Sequence, residues 1–305
     1  MCAVWIDLLD PTREELQAAT PADLHPRAIE LLHRESRHGD EPRPTLESHG
    51  DYVFGVFLVP KVEEDRSVVY REVDIVLTKD TLMTVRKSAG GTPPFQCKTL
   101  EEMHKRRLEV AKPGLIAYHL VDDVAEGFLD LTDGLNEEID ELEDHVEDLE
   151  NSVVRGRLSE LRHDLLHIRR VLSPTRDAIH RVVDNRVDTD DDEDELFPHE
   201  VELHFADVYD KLLRASEALE LSRDLVAGVR DYHTAKVAND QNEVMKRLTV
   251  VASILLPPTF IVGLYGQNLK GVPEFHWAQG YAWSWGVIIV ITVGQLLFLR
   301  RKRWL

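Results

Sequence analysis

Residues 248–268 read LTVVASILLPPTFIVGLYGQN, 21 positions without an Asp, Glu, Lys or Arg. Residues 281–299 read YAWSWGVIIVITVGQLLFL, 19 more without charge. A helix of about 20 apolar residues matches a hydrocarbon core of roughly 30 Å, so each run predicts a membrane span. One such run alone would also fit the core helix of a soluble protein. Two, separated by a dozen residues, leave that reading little room.

Basic residues flank the pair. Lys246 and Arg247 precede the first span, and Arg300, Arg301, Lys302 and Arg303 follow the second. Flanks rich in Lys and Arg stay cytoplasmic, which places both termini inside and the 269–280 loop outside. Tyr281, Trp283 and Trp285 near the outer end and Trp304 at the inner end are expected interface anchors. Two spans cannot enclose a polar path, so any such path requires several copies around one axis.

The formal net charge of −20 is unevenly spread. Residues 246–305 hold seven basic side chains against Glu274, a balance of +6, so residues 1–245 carry −26. So acidic a segment argues against nucleic acid as a partner. It suits a domain that meets cations, although solubility alone also explains it. Cys2 and Cys97 are the only cysteines, which implies no disulfide framework and fits a reducing cytoplasm. The opening MCAVWIDLLDPTREEL lacks a basic stretch followed by an apolar run, so no secretory signal is expected.

Residues 1–114 predict a small α/β domain. Val4–Leu8, Asp51–Val59, Ser67–Leu77 and Thr81–Arg86 read as strands, and Thr12–Ala19 and Pro26–Arg34 as helices with Thr12 a candidate N-cap. Ser88–Pro94, with two glycines and two prolines, reads as a loop. From 115 to 247 the pattern becomes helical. Leu131, Leu135, Ile139, Leu142, Val146, Leu149 and Val153 form one heptad-like stripe, and Leu158, Leu161, Leu165, Ile168 and Leu172 a second. A third stretch starts near Pro198 and has only Gly228 as a possible breaker before the first span. It predicts one helix running from the stalk into the membrane, roughly 70 residues and about 100 Å long. Between the second and third helices, seven of the eight residues 188–195 are acidic, which fits a solvated loop or a lure for cations.

The first span ends in Tyr265-Gly266-Gln267-Asn268, and Val272-Pro273-Glu274 follows in the loop. With Asn242–Val250 upstream, the basic end Arg301–Arg303 and Arg43-Pro44-Thr45-Leu46-Glu47 in the N-terminal segment, this order of motifs resembles the CorA family of divalent-cation channels along essentially the whole chain. The family pattern is Tyr-Gly-Met-Asn at the outer end of the first span. Gln267 stands where the family has Met, and zinc-linked members also vary there.

The resemblance implies an α+β membrane protein: a cytoplasmic α/β domain, a long helical stalk or funnel, and two C-terminal transmembrane helices. It implies a homopentamer in a plasma or inner membrane, with first spans lining the pore and second spans as an outer ring. Mg²⁺ would be cargo and regulatory ligand, with Co²⁺, Ni²⁺ or Zn²⁺ as alternatives. Gly266, Gln267 and Asn268 would form the selecting mouth. A ring of neutral Asn268 amides can bond the waters of an ion that dehydrates reluctantly. The residues by themselves also fit a helix C-cap. Asp231, Thr234, Ala238, Asn242, Met245, Leu248, Ala252, Leu256, Thr259 and Gly263 recur at helical spacing on one face. By resemblance, Asn242, Met245, Leu248, Leu256 and Thr259 line the pore, with Met245, Leu248 and Leu256 as an apolar constriction. Asp231 would attract the exiting cation, and Pro257-Pro258 should bend the helix.

Asp207 matches a family aspartate that helps hold a regulatory divalent ion between subunits, and it also fits an ordinary surface position. Its partner would come from Asp51, Glu63, Glu64, Asp65 or Asp74. His163 and His167, four apart, permit a Zn²⁺ site or a solvated helix face. A dication gains about 4.6 kcal/mol over 100 mV, so inward flux needs no ATP, and no Gly-x-x-x-x-Gly-Lys-Ser/Thr loop is present. No nucleophile–base set suggests an enzyme. The rival readings are a zinc transporter of the same family, coupled to protons, and a two-span scaffold or signalling protein.

Overall fold

The computed structural model describes residues 4–64, 66–89, 92–97, 112–188, 195–267 and 277–304. Two compact units emerge, residues 1–230 and 231–305.

The first unit opens on a five-stranded sheet. Strands β1 (Val4–Leu9), β2 (Thr45–Ser48), β3 (Val53–Val62), β4 (Val68–Leu77) and β5 (Thr81–Arg86) lie in the order β1-β5-β4-β3-β2. β1 pairs parallel to β5; the other neighbours are antiparallel, with Val53 opposite Leu77 in the long β3–β4 hairpin. β3 is apolar on both faces because both are covered. Phe54, Val56, Val76, Met83 and Val85 pack on Leu16, Ala28 and Leu32, from α1 (Arg13–Ala19) and α2 (Pro26–His33). Val53, Phe57, Val59, Val73, Ile75 and Leu77 join the core built by the long helices. β2 pairs only with Val53–Val56, so the far half of β3 is an edge, where Pro60 removes no bond.

Local chemistry sets the short helices. Thr12 and Glu15 form a reciprocal capping box at the start of α1. Pro26 takes the first position of α2, where its missing N–H costs nothing, and the His25 backbone N–H donates to the Tyr52 hydroxyl at 2.9 Å.

Three long helices follow: α3 (Pro113–His145), α4 (Asn151–Val183) and α5 (His199–Tyr265). The predicted stripe holds through Val146 and then fails. Leu149 and Val153 are exposed, at 38% and 52%. α3 ends at His145 and the chain turns over 146–150, so the helical phase restarts and Val154 is the next buried position. The second stripe, Leu158 to Leu172, is buried throughout. α5 adds a stripe that the sequence reading did not isolate: Val201, Phe205, Val208, Leu212, Ala215, Leu219, Val226 and Val229. Ser222 occupies the gap in this seam, fully buried, with its hydroxyl 2.6 Å from Asn136 Oδ1 on α3. One polar pair in an apolar seam fixes register. Where α3 starts, a Cβ on Gly114 would come within 2.2 Å of the Leu196 carbonyl oxygen, so only glycine permits that approach.

The second unit contains the last part of α5 and α6 (Gly280–Arg301). Among the described residues these are the two helices long and apolar enough to cross a membrane. Their most apolar stretches are only 6% buried. A soluble core helix would be covered; these present Leu255, Phe260, Val262, Val290, Leu297 and Phe298 outward. Lys246 Nζ donates to the Arg303 carbonyl at 2.9 Å, so the basic flanks of the two helices meet.

Candidate functional site

The predicted continuous helix is observed: α5 runs unbroken for 67 residues and contains Asp207, Asp231 and the whole proposed pore stripe. Pro257 and Pro258 lie inside it. Neither has an N–H, so the carbonyls of Ser253 and Ile254 lose their helical donors. Hydroxyls bond carbonyls on both sides of this gap: Ser253 Oγ donates to the Thr249 carbonyl at 2.6 Å and Thr259 Oγ1 to the Leu255 carbonyl at 2.8 Å. With its hydrogen so committed, the Thr259 oxygen presents lone pairs, which can accept from the waters around a cation.

Met245, Leu248 and Leu256 are 59%, 62% and 65% exposed. Asp231, Asn242 and Thr259 are exposed as well. Val251, Leu255 and Phe260, in other directions on the helix, are equally bare. Val250 and Ile261 are buried, so a single chain covers one narrow side of this span and leaves the rest bare, for lipid or further copies to cover. The helix closes at its outer end with the Gly266 N–H donating to the Val262 carbonyl at 2.9 Å. Gly266 and Gln267 are exposed in a turn just past the last helical residue, Tyr265. A Cβ on Gly266 would crowd that carbonyl at 3.1 Å. Asn268, Glu274 and His276 lie outside the described residues, as do Asp65 and positions 189–194 of the acidic run.

Asp207 is exposed on α5. It lies close enough to Tyr118 on α3 to help raise the phenol's pKa, after burial and Asp122. One turn on, Lys211 bridges Asp122 at 2.7 Å and Glu126. Of its proposed partners, Asp51 and Glu64 are exposed, and Glu63 is half-buried and paired with Lys61 at 2.9 Å. Asp74 is not available for the role. It is fully buried under α2 and held by Lys87 Nζ at 2.7 Å, because its strand position points into the layer between the sheet and α1–α2.

The pair of histidines on α4 does not form a metal centre. His167 stands 3.5 Å from Glu41 and edge-on to Tyr70, while His163 is solvent-facing. Among the described residues no group of three or more His, Cys, Asp or Glu is arranged to hold a metal.

The sequence from residue 3 to residue 301 matches the family model described as CorA-like Mg2+ transporter protein. The chain belongs to the CorA family. It is a divalent-cation transporter of the membrane, and its family moves ions rather than catalysing reactions. The cobalt/magnesium transport protein CorA of Thermotoga maritima is 28% identical over 267 residues, covering 86% of this chain and 73% of that protein. The zinc transport protein ZntB of Yersinia enterocolitica is 29% identical over 151 residues, 50% of this chain and 44% of that protein. In fold, the chain superposes on the complete structure of the CorA magnesium transporter from Methanocaldococcus jannaschii with a TM-score of 0.78 at 21% identity, covering 99% of this chain and 92% of the other.

Proposed function

We propose that copies of this CorA-family chain, five by family resemblance, surround a common axis and pass Mg²⁺ into the cytoplasm down its electrochemical gradient. The observation that carries this reading is α5: one 67-residue helix whose apolar part is only 6% buried and which ends in Tyr265-Gly266-Gln267. Copies packed side by side would cover that bare surface and give Asn242, Met245, Leu248, Leu256 and Thr259 a shared interior.

In this arrangement Asn268, with Gly266 and Gln267, forms the outer mouth. Its amide oxygens take the hydrated ion without stripping its waters. The Thr259 oxygens accept from the same shell deeper in. Met245, Leu248 and Leu256 make the narrow apolar part, which closes by losing its water. Asp231 and the acidic cytoplasmic unit receive the ion, and Glu274 stands in the external loop. The basic flanks put both termini on the cytoplasmic side of the cell membrane. Mg²⁺ bridging Asp207 to a neighbour's carboxylate would hold the closed state, and its loss would free the subunits to move apart.

Zn²⁺ is the second reading. It is favoured by Gln267 in place of the family's Met and by the similarity to a named zinc transport protein. Reconstitution in vesicles carrying a Mg²⁺ dye, comparing the wild type with Asn268→Ala, tests the selecting mouth. Mg²⁺ entry that falls at least tenfold in the variant supports it. Equal entry in both removes Asn268 from the role.

A further inference from the structure

A cavity of about 630 Å³ opens in the first unit between α2, β2 and α4. Its charged lining is four arginines, Arg27, Arg34, Arg43 and Arg181, against Glu47 and Asp177. In a chain of net charge −20, a local excess of positive charge runs against the background.

The arginines come from three places: Arg27 from α2 and Arg34 just past its end, Arg43 from the segment before β2, and Arg181 from the last turn of α4. Arg34 is spoken for, since it bonds the Asp40 carbonyl and sits 3.8 Å from its carboxylate. Arg27, Arg43 and Arg181 are exposed, and among the described residues none has a carboxylate within ion-pair distance. The two acids on the wall are otherwise engaged: Asp177 pairs with Arg176 at 3.3 Å and Glu47 accepts from Thr45 Oγ1 at 2.9 Å. Elsewhere in this unit some arginines are paired, as Arg86 with Asp7 at 2.6 Å and Arg157 with Glu138, while Arg13, Arg155, Arg162 and Arg170 stand apart from one another along their helices; among the described residues, only at this opening do three come together from separate segments. Folding gives no reason to gather three unpaired guanidinium groups at one opening, where they repel one another.

The rest of the wall suits a flat apolar group. Leu31 and Ala28 from α2, Ala178 from α4, and Phe54 and Val56 from β3 supply an apolar floor. His49 is held by stacking on Tyr52 with centroids 5.1 Å apart, and His25 caps α2 beside it. The volume lies within the 300–1,000 Å³ typical of small-molecule sites.

We propose that this cavity binds a nucleoside polyphosphate, with Arg27, Arg43 and Arg181 on the phosphates and the base against the Leu31–Ala178 floor. The guanidinium fork matches phosphate oxygens in pairs, which a halide cannot use, and three forks suit the several charges of a polyphosphate better than the single charge of a carboxylate. The site is a cavity rather than a stripe, and residues 1–245 carry −26, so a nucleic-acid strand would be repelled from its surroundings.

The test is calorimetry on the full-length protein in detergent, with ATP, pyrophosphate and adenosine as separate probes and EDTA present. Binding is read without any transport, so the result is independent of which cation the protein carries. ATP should bind saturably, and Arg27→Ala, Arg43→Ala and Arg181→Ala should each weaken it about tenfold. Arg181→Lys should retain part of the affinity, and the melting temperatures of these surface variants should match the wild type. Adenosine should bind far more weakly than ATP. No ATP binding at millimolar concentration, or equal binding by the arginine variants, overturns the site. Pyrophosphate binding as tightly as ATP overturns the assignment of a nucleotide.

Discussion

Lys87 is the most consequential single charge in the first unit. Its side chain is 3% exposed, and its Nζ lies 2.6 Å from Glu72 Oε1, 2.7 Å from Asp74 Oδ2 and 2.6 Å from the Leu31 carbonyl. Both carboxylates are buried, at 2% and 0%. Two acids share one ammonium, so with both acids ionised the trio carries a negative charge out of water even with Lys87 present. Burial pushes Asp74 up to about 7; Lys87 opposes the rise and Glu72 adds to it. Replacing Lys87 by Met strands both carboxylates and costs about 3–5 kcal/mol at alkaline pH. At about 2–4 °C per kcal/mol for a unit of this size, the melting temperature falls by about 6–20 °C.

The pH dependence has a definite sign. Asp74 has a folded pKa above its ordinary 3.8, so folding favours its protonated form. That contribution is complete below the unfolded pKa and is lost as pH rises through about 7. Removing Lys87 raises the folded pKa further, so the deficit of the variant shrinks on acidification. Thermal melting of full-length protein at about pH 5 and about pH 8.5 measures both effects. A triple change, Glu72→Gln, Asp74→Asn and Lys87→Met, removes all three charges and should recover most of the loss. A Lys87→Met protein that melts within about 2 °C of the wild type at the higher pH would refute the reasoning. So would a deficit that grows on acidification.

Three further outcomes follow from the same coordinates. Gly114→Ala puts a methyl carbon against the Leu196 carbonyl and should destabilise the first unit by about 1–3 kcal/mol, read by chemical denaturation. Arg157→Leu leaves Glu138, 13% exposed, with only the outer Arg66; a loss of about 1–3 kcal/mol is expected, and unchanged melting would show the pair to be idle. Under the pore reading, Leu256→Asn wets the apolar constriction, so ion leak in vesicles should rise at high cytoplasmic Mg²⁺, where the wild type is shut.

Much of the architecture was readable because it rests on periodicity. Charge-free runs announce spans, and a stretch without breakers announces α5. Four of the five strands are apolar enough to stand out. β2 did not: Thr45–Ser48 is four residues long with Leu46 its one apolar residue, and only its pairing with β3 makes it a strand. The turn at 146–150 was hidden because Leu149 and Val153 continue the spacing that the backbone abandons. The stripe from Val201 to Val229 could have been found, since its spacing alternates four and three with Ser222 in register. Asp74 resembled an available ligand because its burial depends on α2, whose Leu31 carbonyl reaches Lys87 from 56 positions away. The arginine cavity was out of reach for the same reason: Arg27, Arg43 and Arg181 converge only through the fold.

The central claim is that this chain passes Mg²⁺ inward without energy from ATP. Vesicles containing the purified protein and a Mg²⁺ dye, held at an inside-negative potential, test it most directly. The account predicts rapid Mg²⁺ entry driven by potential alone and competed by Co²⁺. Zn²⁺ entry without Mg²⁺ entry would contradict the cargo assigned here and establish the zinc reading in its place.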